Sequence, residues 1–240
     1  MAAKTRYQAP ISPNQIDLLE LASTTGRPFK DEKQIDLLRP AGVSREAGVK
    51  VYYAGDLSIL DMKCASIVGT RDVTEAGYKR AYRLAKELSE AGIAVVSGLA
   101  KGVDTAALTG AEHSGGRTVA VIGTPLNKAY PAQNAALQEN IWREHLLLTP
   151  FAEGETVFRS NFPKRNRVMA ALSDATVIVE ASDTSGTLHQ AAECQRLGRW
   201  LFIMKSVLDD SSITWPKRFI DKPMVKILSS TQDLISCIGK

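Results

Sequence analysis

The chain has 240 residues, 44% of them hydrophobic and 23% charged, with a formal net charge of +4. This balance suits a globular protein of one large domain, or of one domain with an appendage, and excludes a disordered chain. No apolar run approaches the ~20 residues that cross a bilayer, and Met1–Arg6 lacks the apolar centre of a signal peptide, so a cytoplasmic protein without membrane contact is expected. The three cysteines, Cys64, Cys194 and Cys237, are scattered and odd in number, which argues against a disulfide scaffold or a metal site.

In chain order, Gln15–Ala22 and Gln34–Leu38 each read as a short amphipathic helix, with breaks at Gly26-Arg-Pro and Pro40-Ala-Gly. From Cys64 the pattern becomes regular. Strands are predicted at Cys64–Val68, Ile93–Ser97, Thr118–Ile122, Leu146–Leu148, Ala175–Glu180 and Trp200–Met204. Between them, helices are predicted at Thr74–Ala91, from Asp104 as a cap through His113, at Gln133–Glu144, at Lys164–Leu172 and at Thr187–Leu197. The tail reads as a strand, Val225–Leu228, and a helix, Thr231–Ile238. Short continuous apolar runs alternating with longer helices imply βαβ units and strands covered on both faces. The expected fold is α/β: a doubly wound, mostly parallel, extended Rossmann-like sheet over residues 61–240, preceded by a short helical N-terminal extension and lead-in over residues 1–60.

In such a sheet ligands bind beyond the carboxyl ends of the strands. Those ends carry Gly69-Thr70-Arg71, Gly98-Leu-Ala-Lys101-Gly102, Gly123-Thr-Pro and Glu180-Ala-Ser-Asp-Thr-Ser185-Gly186-Thr187. Their backbone N–H groups and the helix starts behind them suit phosphate. Gly98 and Gly102 stand four apart, so G-x-G-x-x-G is absent, and so is the P-loop pattern. A dinucleotide or ATP enzyme is therefore poorly supported, and no cofactor and no metal are expected.

The most unusual segment is Phe158-Arg-Ser-Asn-Phe162-Pro-Lys164-Arg165-Asn166-Arg167, with four cations, no acid and two interleaved aromatics. Cations at a helix start oppose the helix dipole, and they make sense where an anion sits; an aromatic face adds stacking for a base. His113, His145 and His189 read as surface or structural residues, and no catalytic group stands out.

At these residues the chain resembles the DNA-processing protein A family, DprA or Smf. The resemblance rests on Ser66-Ile-Val-Gly-Thr-Arg, Val96-Ser-Gly-Leu-Ala-Lys-Gly-Val-Asp-Thr-Ala-Ala, Gly115-Gly-Arg-Thr-Val-Ala-Val-Ile-Gly-Thr, Tyr130-Pro-Ala-Gln-Asn, Asn161-Phe-Pro-Lys-Arg-Asn-Arg and Val179-Glu-Ala-Ser-Asp-Thr-Ser-Gly-Thr-Leu. It implies an extended Rossmann-like domain, a homodimer, binding of single-stranded DNA without strong sequence preference, and loading of a RecA-type recombinase in natural transformation, rather than enzymatic activity. Arg71 matches the family's phosphate-pocket arginine, and Arg165, Asn166 and Arg167 match its signature segment. With the loops, the expected DNA-binding set is Gly69, Thr70, Arg71, Gly98, Lys101, Gly102, Phe162, Lys164, Arg165, Asn166, Arg167, Ser185, Gly186 and Thr187. The chain departs from the family at Ala132 (commonly Lys), Leu108 (commonly His), His189-Gln190 (commonly Ile-Thr) and Lys205-Ser206 (commonly Pro-Gly), and reads as a member without a C-terminal winged-helix domain. The alternative is a nucleotide-binding sensor or N-glycosidic hydrolase of the wider lysine-decarboxylase-like superfamily, whose catalytic Glu position is here Gln190.

Overall fold

The computed structural model describes residues 7–30, 34, 36 and 48–239. The alternation of apolar runs becomes a nine-stranded sheet among these residues. The strands are β1 (Asn14–Asp17), β2 (Lys50–Gly55), β3 (Cys64–Val68), β4 (Ala94–Ser97), β5 (Thr118–Val121), β6 (Leu146–Thr149), β7 (Ala175–Ile178), β8 (Trp200–Met204) and β9 (Val225–Leu228). The helices are α1 (Leu18–Thr24), α2 (Glu75–Glu90), α3 (Val103–His113), α4 (Ala135–Glu144), α5 (Asn161–Ala171), α6 (Thr187–Arg196), α7 (Lys205–Leu208) and α8 (Thr231–Ile238).

The strand order is β1-β2-β6-β5-β4-β3-β7-β8-β9. Every pair from β6 through β9 is parallel, and only β1–β2 and β2–β6 are antiparallel. Every residue of β3 to β7 is buried, because helices cover both faces. Ala81, Leu84, Ala85 and Leu88 of α2 pack with Ala106 and Ala107 of α3 and Leu234 of α8 on one face, and Ile141 of α4 joins that side against Ala120 and Leu147. Leu18 and Leu21 of α1, Val168 and Met169 of α5 and Cys194 of α6 pack on the other, together with Trp215 and Phe219. No helix among the described residues is long and apolar enough to cross a membrane.

One expectation needs correction, and another lies largely outside the described residues. Gln15–Asp17 belongs to β1, not a helix: Ile16 pairs with Val51. Asp17 then acts as the N-cap of α1, accepting from Leu19 N–H, while its other oxygen accepts from Val49 N–H. Pairing with β2 satisfies the backbone of this segment, and an Asp cap, worth about 0.5–2 kcal/mol, sets the helix start after it. Of the second expected helix only Gln34 and Asp36 are described, both helical; the Pro40 break lies outside the described residues. Strand β8 is interior: it lies between β7 and β9 and its middle three residues are buried. The edge strand is β9, where Ile227 is 42% exposed.

The chain builds β3, β4, β5 and β6 in one direction, then returns to lay β7 on the other side of β3. The carboxyl ends of β3 and β7 therefore diverge at the switch in strand order, where an α/β sheet opens a crevice.

Candidate functional site

A cleft of about 270 Å³ occupies this crevice. Its walls are the loop after β3 (Gly69, Thr70, Arg71, Asp72), Ala100 and Asp104 beyond β4, the first turns of α5 (Phe162, Pro163, Arg165, Asn166), and Ser182, Ser185, Gly186 and Thr187 after β7. The loops are tied to each other. Thr70 N–H donates to Glu180 O (2.7 Å), Val103 N–H to Thr70 O (3.3 Å), and Thr187 Oγ1 to Gly69 O (3.2 Å). Gly102, with φ +78°, lets two loops touch: a Cβ there would stand 2.5 Å from Thr70 O and 2.6 Å from Arg71 O. Leu99 also lies in the left-handed region at φ 60°, a strained conformation for a branched side chain. Its complete burial and the Asn134 Nδ2 bond to its carbonyl oxygen (2.9 Å) hold it there.

Helix α5 begins at Asn161, three residues earlier than the cations suggest. Pro163 is tolerated because the first-turn N–H groups have no helical acceptor. This start fixes which cations face the cleft, since successive residues point about 100° apart. Arg165 turns inward, with 5% of its side chain exposed. Its Nη1 donates to Val121 O (2.8 Å) and stands 4.0 Å from Asp104 Oδ2. A Cβ on residue 98 would lie 1.4 Å from that nitrogen, so the guanidinium occupies the space that Gly98 leaves open. Arg165, one of the four cations of an acid-free segment, is thus a buried charge at the floor of the cleft. Its Nε is buried without a hydrogen-bond partner.

Asp104, expected as a helix cap, sits inside the first turn of α3 and accepts from Ala100 N–H (3.3 Å). Burial pushes its carboxyl above the usual range, against the pull of Arg165. Burial also disfavours the charged form of Arg165, and Asp104 opposes that. The guanidinium stays charged.

Arg71 is exposed, and its guanidinium carbon lies 5.1 Å from the centroid of the Phe162 ring. Phe162 is half-buried over Gly123, with Tyr130 on its far side at 5.5 Å between ring centroids. Arg71, Asp72 and Ala100 also border an adjoining hollow completed by Lys101, Tyr130 and Pro131. The site thus has a buried charge below, an exposed charge at the lip, and an aromatic ledge beside it.

Among the expected residues, Gly69, Thr70, Arg71, Phe162, Arg165, Asn166, Ser185, Gly186 and Thr187 line the cleft. Lys101 faces the adjoining hollow, while Gly98 and Gly102 support the walls from behind. Lys164 and Arg167 are half-buried on α5 and do not line the cleft. Asp104 and Tyr130 are parts of the site that the expected DNA-binding set leaves out. Both lie in stretches that carry the family resemblance, and Asp104, near the ligand edge, reads most simply as a helix cap. Glu180 is a structural acceptor for Thr74 N–H and Thr74 Oγ1. Gln190 is buried, with Nε2 3.4 Å from Thr176 Oγ1, and does not line the cleft. Among the described residues no His, Cys, Asp and Glu cluster is placed to hold a metal.

A family model described as DNA recombination-mediator protein A matches residues 37–239. The chain is 35% identical over 191 residues to DNA processing protein DprA of Streptococcus pneumoniae, covering 80% of this chain and 67% of that protein. Its fold is similar to the crystal structure of DprA from Streptococcus pneumoniae, with TM-score 0.76 and 29% identity over 94% of this chain and 74% of that one. It is also similar to DNA processing protein A from Helicobacter pylori, a structure concerned with that protein's single-stranded DNA binding mode. There the TM-score is 0.71 and the identity 27%, over 85% of this chain and 91% of that one. The chain spans between 35% and 67% of the length of the curated relatives it matches.

Proposed function

The chain belongs to the DNA recombination-mediator protein A family, and from that premise we propose that it is a DNA-processing protein that binds single-stranded DNA along the carboxyl edge of its sheet. The observation that carries this reading is Arg165: a guanidinium buried at the floor of the cleft with one N–H unpartnered. A desolvated cation with a free donor suits an anionic group entering from above. Its position is set in advance by Val121 and Asp104, so little side-chain freedom is lost on binding.

Arg71 supplies the second charge at the lip, and on the opposite wall the Ser185 hydroxyl and the backbone N–H of Gly186 offer donors, whereas Thr187 N–H and Oγ1 are committed to Ser185 Oγ and Gly69 O. The Phe162 and Tyr130 rings give unstacked bases a platform, worth about 1–3 kcal/mol per base. A duplex keeps its bases stacked and cannot use that platform, which is the physical basis for preferring a single strand.

The same reading extends to protecting incoming or displaced strands and handing them to a RecA-type recombinase in the cytoplasm. It also includes a twofold dimer, whose contact we place at edge strand β9. Both are drawn from the family relationship, and the exposed Ile227 on that edge supports the dimer alone. The hydrolase alternative has less support, because the position where that resemblance expects a catalytic Glu holds Gln190, which is buried outside the cleft.

Fluorescence-anisotropy titrations with a labelled oligothymidylate and with a duplex of equal length test the proposal. We expect single-strand preference and, for about four neutralised phosphates, a slope of log affinity against log salt of roughly −3. Equal affinity for duplex, or no response to salt, overturns it. Light scattering reads the dimer separately; a monomer with and without DNA removes that part.

A further inference from the structure

A second cavity lies on the same edge of the sheet, beyond β8 and β9. It has a volume of about 420 Å³ and shares no lining residue with the first cleft. Such a volume falls within the roughly 300–1,000 Å³ typical of small-ligand sites. Arg80 and Arg83 reach it from α2, Lys205 and Ser206 from the end of β8, and Ser229 and Thr231 from the end of β9.

Its charges do not cancel. Glu87 is the one carboxylate in the lining; it accepts from Thr231 Oγ1 and stands 3.5 Å from Arg83 Nε. Arg80 is 3.6 Å from Glu180, outside the cavity. Lys205 is exposed and makes no ion pair among the described residues. Two buried donors in the lining, Arg80 Nε and Ser206 Oγ, have no hydrogen-bond partner. The backbone N–H groups of Ser229 and Ser230 are taken by Asp233, so the start of α8 is already satisfied and is not what attracts a ligand. Arg80 and Arg83 each have one carboxylate partner and Lys205 has none among the described residues, so three cations meet two carboxylates; with two orphaned donors and a row of hydroxyls, this is a pocket that an anion would complete.

The geometry points to a second phosphate-binding site between α2 and the carboxyl ends of β8 and β9, in which Arg80, Arg83 and Lys205 hold the phosphate group. The phosphate can belong to a DNA strand that already occupies the first cleft or to a free nucleotide; the recognition chemistry is the same. This site does not depend on the function proposed above.

Amide-resolved NMR titrations of the full chain test it. Inorganic phosphate and thymidine 5′-monophosphate are added to wild type, to Arg71→Ala and to Arg83→Ala/Lys205→Ala, both of whose altered side chains are exposed. We expect saturable shifts at Ser206, Ser229, Ser230 and Thr231 in wild type and in Arg71→Ala. In the double variant these should weaken at least roughly tenfold, as loss of charge-assisted contacts implies. A thermal melt confirms that the double variant is folded, and Lys205→Gln alone provides a milder form. Oligothymidylates of increasing length then identify the source. Shifts that saturate with the monophosphate assign a free nucleotide; shifts that arise only with strands long enough to reach from the first cleft assign the DNA backbone. Absence of saturable shifts with every probe, or equal shifts in the double variant, overturns the site. If oligonucleotides fail to bind the first cleft at all, the inorganic phosphate arm still gives its own answer.

Discussion

At the scale of single residues, Arg71 and Arg165 are both arginines of one cleft, yet removing them has different consequences. Arg165→Ala leaves Asp104 buried without its partner, and Asp104→Ala leaves Arg165 so. Each should lower stability by about 3–5 kcal/mol, read as a clear fall in Tm by circular dichroism. Arg71→Ala removes an exposed charge and should change stability by no more than about 0.5 kcal/mol, while weakening single-strand binding measured by anisotropy. Unchanged melting of Arg165→Ala would refute the buried pair, and wild-type affinity of Arg71→Ala would remove that residue from the site. His145 sets a pH response. Burial holds its imidazole below the usual range, Arg117 adds to that, and Glu144 opposes it; Glu112 stands 4.0 Å away. A histidine whose folded pKa is depressed resists protonation in the fold. Its contribution to stability is therefore present above the unfolded value of about 6.5 and is lost as pH falls below it. We expect Tm to decline between about pH 7 and 5 and the decline to be shallower in His145→Gln; parallel profiles would discount this residue.

At the scale of elements, the site depends on how closely α5 approaches the end of β4. A Cβ on residue 98 would overlap the Arg165 guanidinium, so Gly98→Ala should cost about 1–3 kcal/mol, as overpacking does, and should weaken DNA binding by displacing the cleft floor. Gly186 has open space around it and helical backbone angles, so Gly186→Ala should cost no more than about 1 kcal/mol. Melting the two variants side by side separates a glycine required by packing from one that merely starts a helix. The sequence carries little sign of this difference. Both glycines stand in similar strand-to-helix loops, and only the neighbour brought in from α5, more than sixty positions along the chain, distinguishes them. The elements themselves were far more legible. Strand β3 is legible to the residue because a five-residue apolar run closed by Gly69 is too short for a helix, and α2 to within one residue at each end because its apolar positions recur at helical spacing up to Gly92. The start of α5 was not, since Asn161-Phe-Pro reads locally as a loop.

At the scale of the whole molecule, the N-terminal strands are part of the sheet rather than an attachment to it. Leu18, Leu21 and Val51 lie in one apolar cluster with Val119, Leu146 and Leu148, and β2 covers the edge of β6. Arg27, 2% exposed, donates to Leu60 O, Met62 O and Asp174 and so pins the N-terminal segment beneath the core. Exposing several large apolar side chains at about 1.5–3 kcal/mol each would use up most of a typical folding stability of about 5–15 kcal/mol. Residues 61–240 alone are therefore expected to melt far below the full chain and to bind a hydrophobic dye; a truncated protein with the full-length Tm would contradict this. Composition and periodicity by themselves determined the α/β class, the parallel core and the loops at its carboxyl edge, because each of these is set by a residue's nearest neighbours along the chain and by burial of a face. Only the tertiary structure decided which of those loops meet, that Arg165 points inward to Asp104 while Lys164 and Arg167 turn away, that Gln15–Asp17 pairs as a strand, and that β8 is interior. Each of these is settled by partners distant in sequence: the return of the chain to β3 after β6, and the single rotation of a helix whose first residue fixes the direction of all the rest.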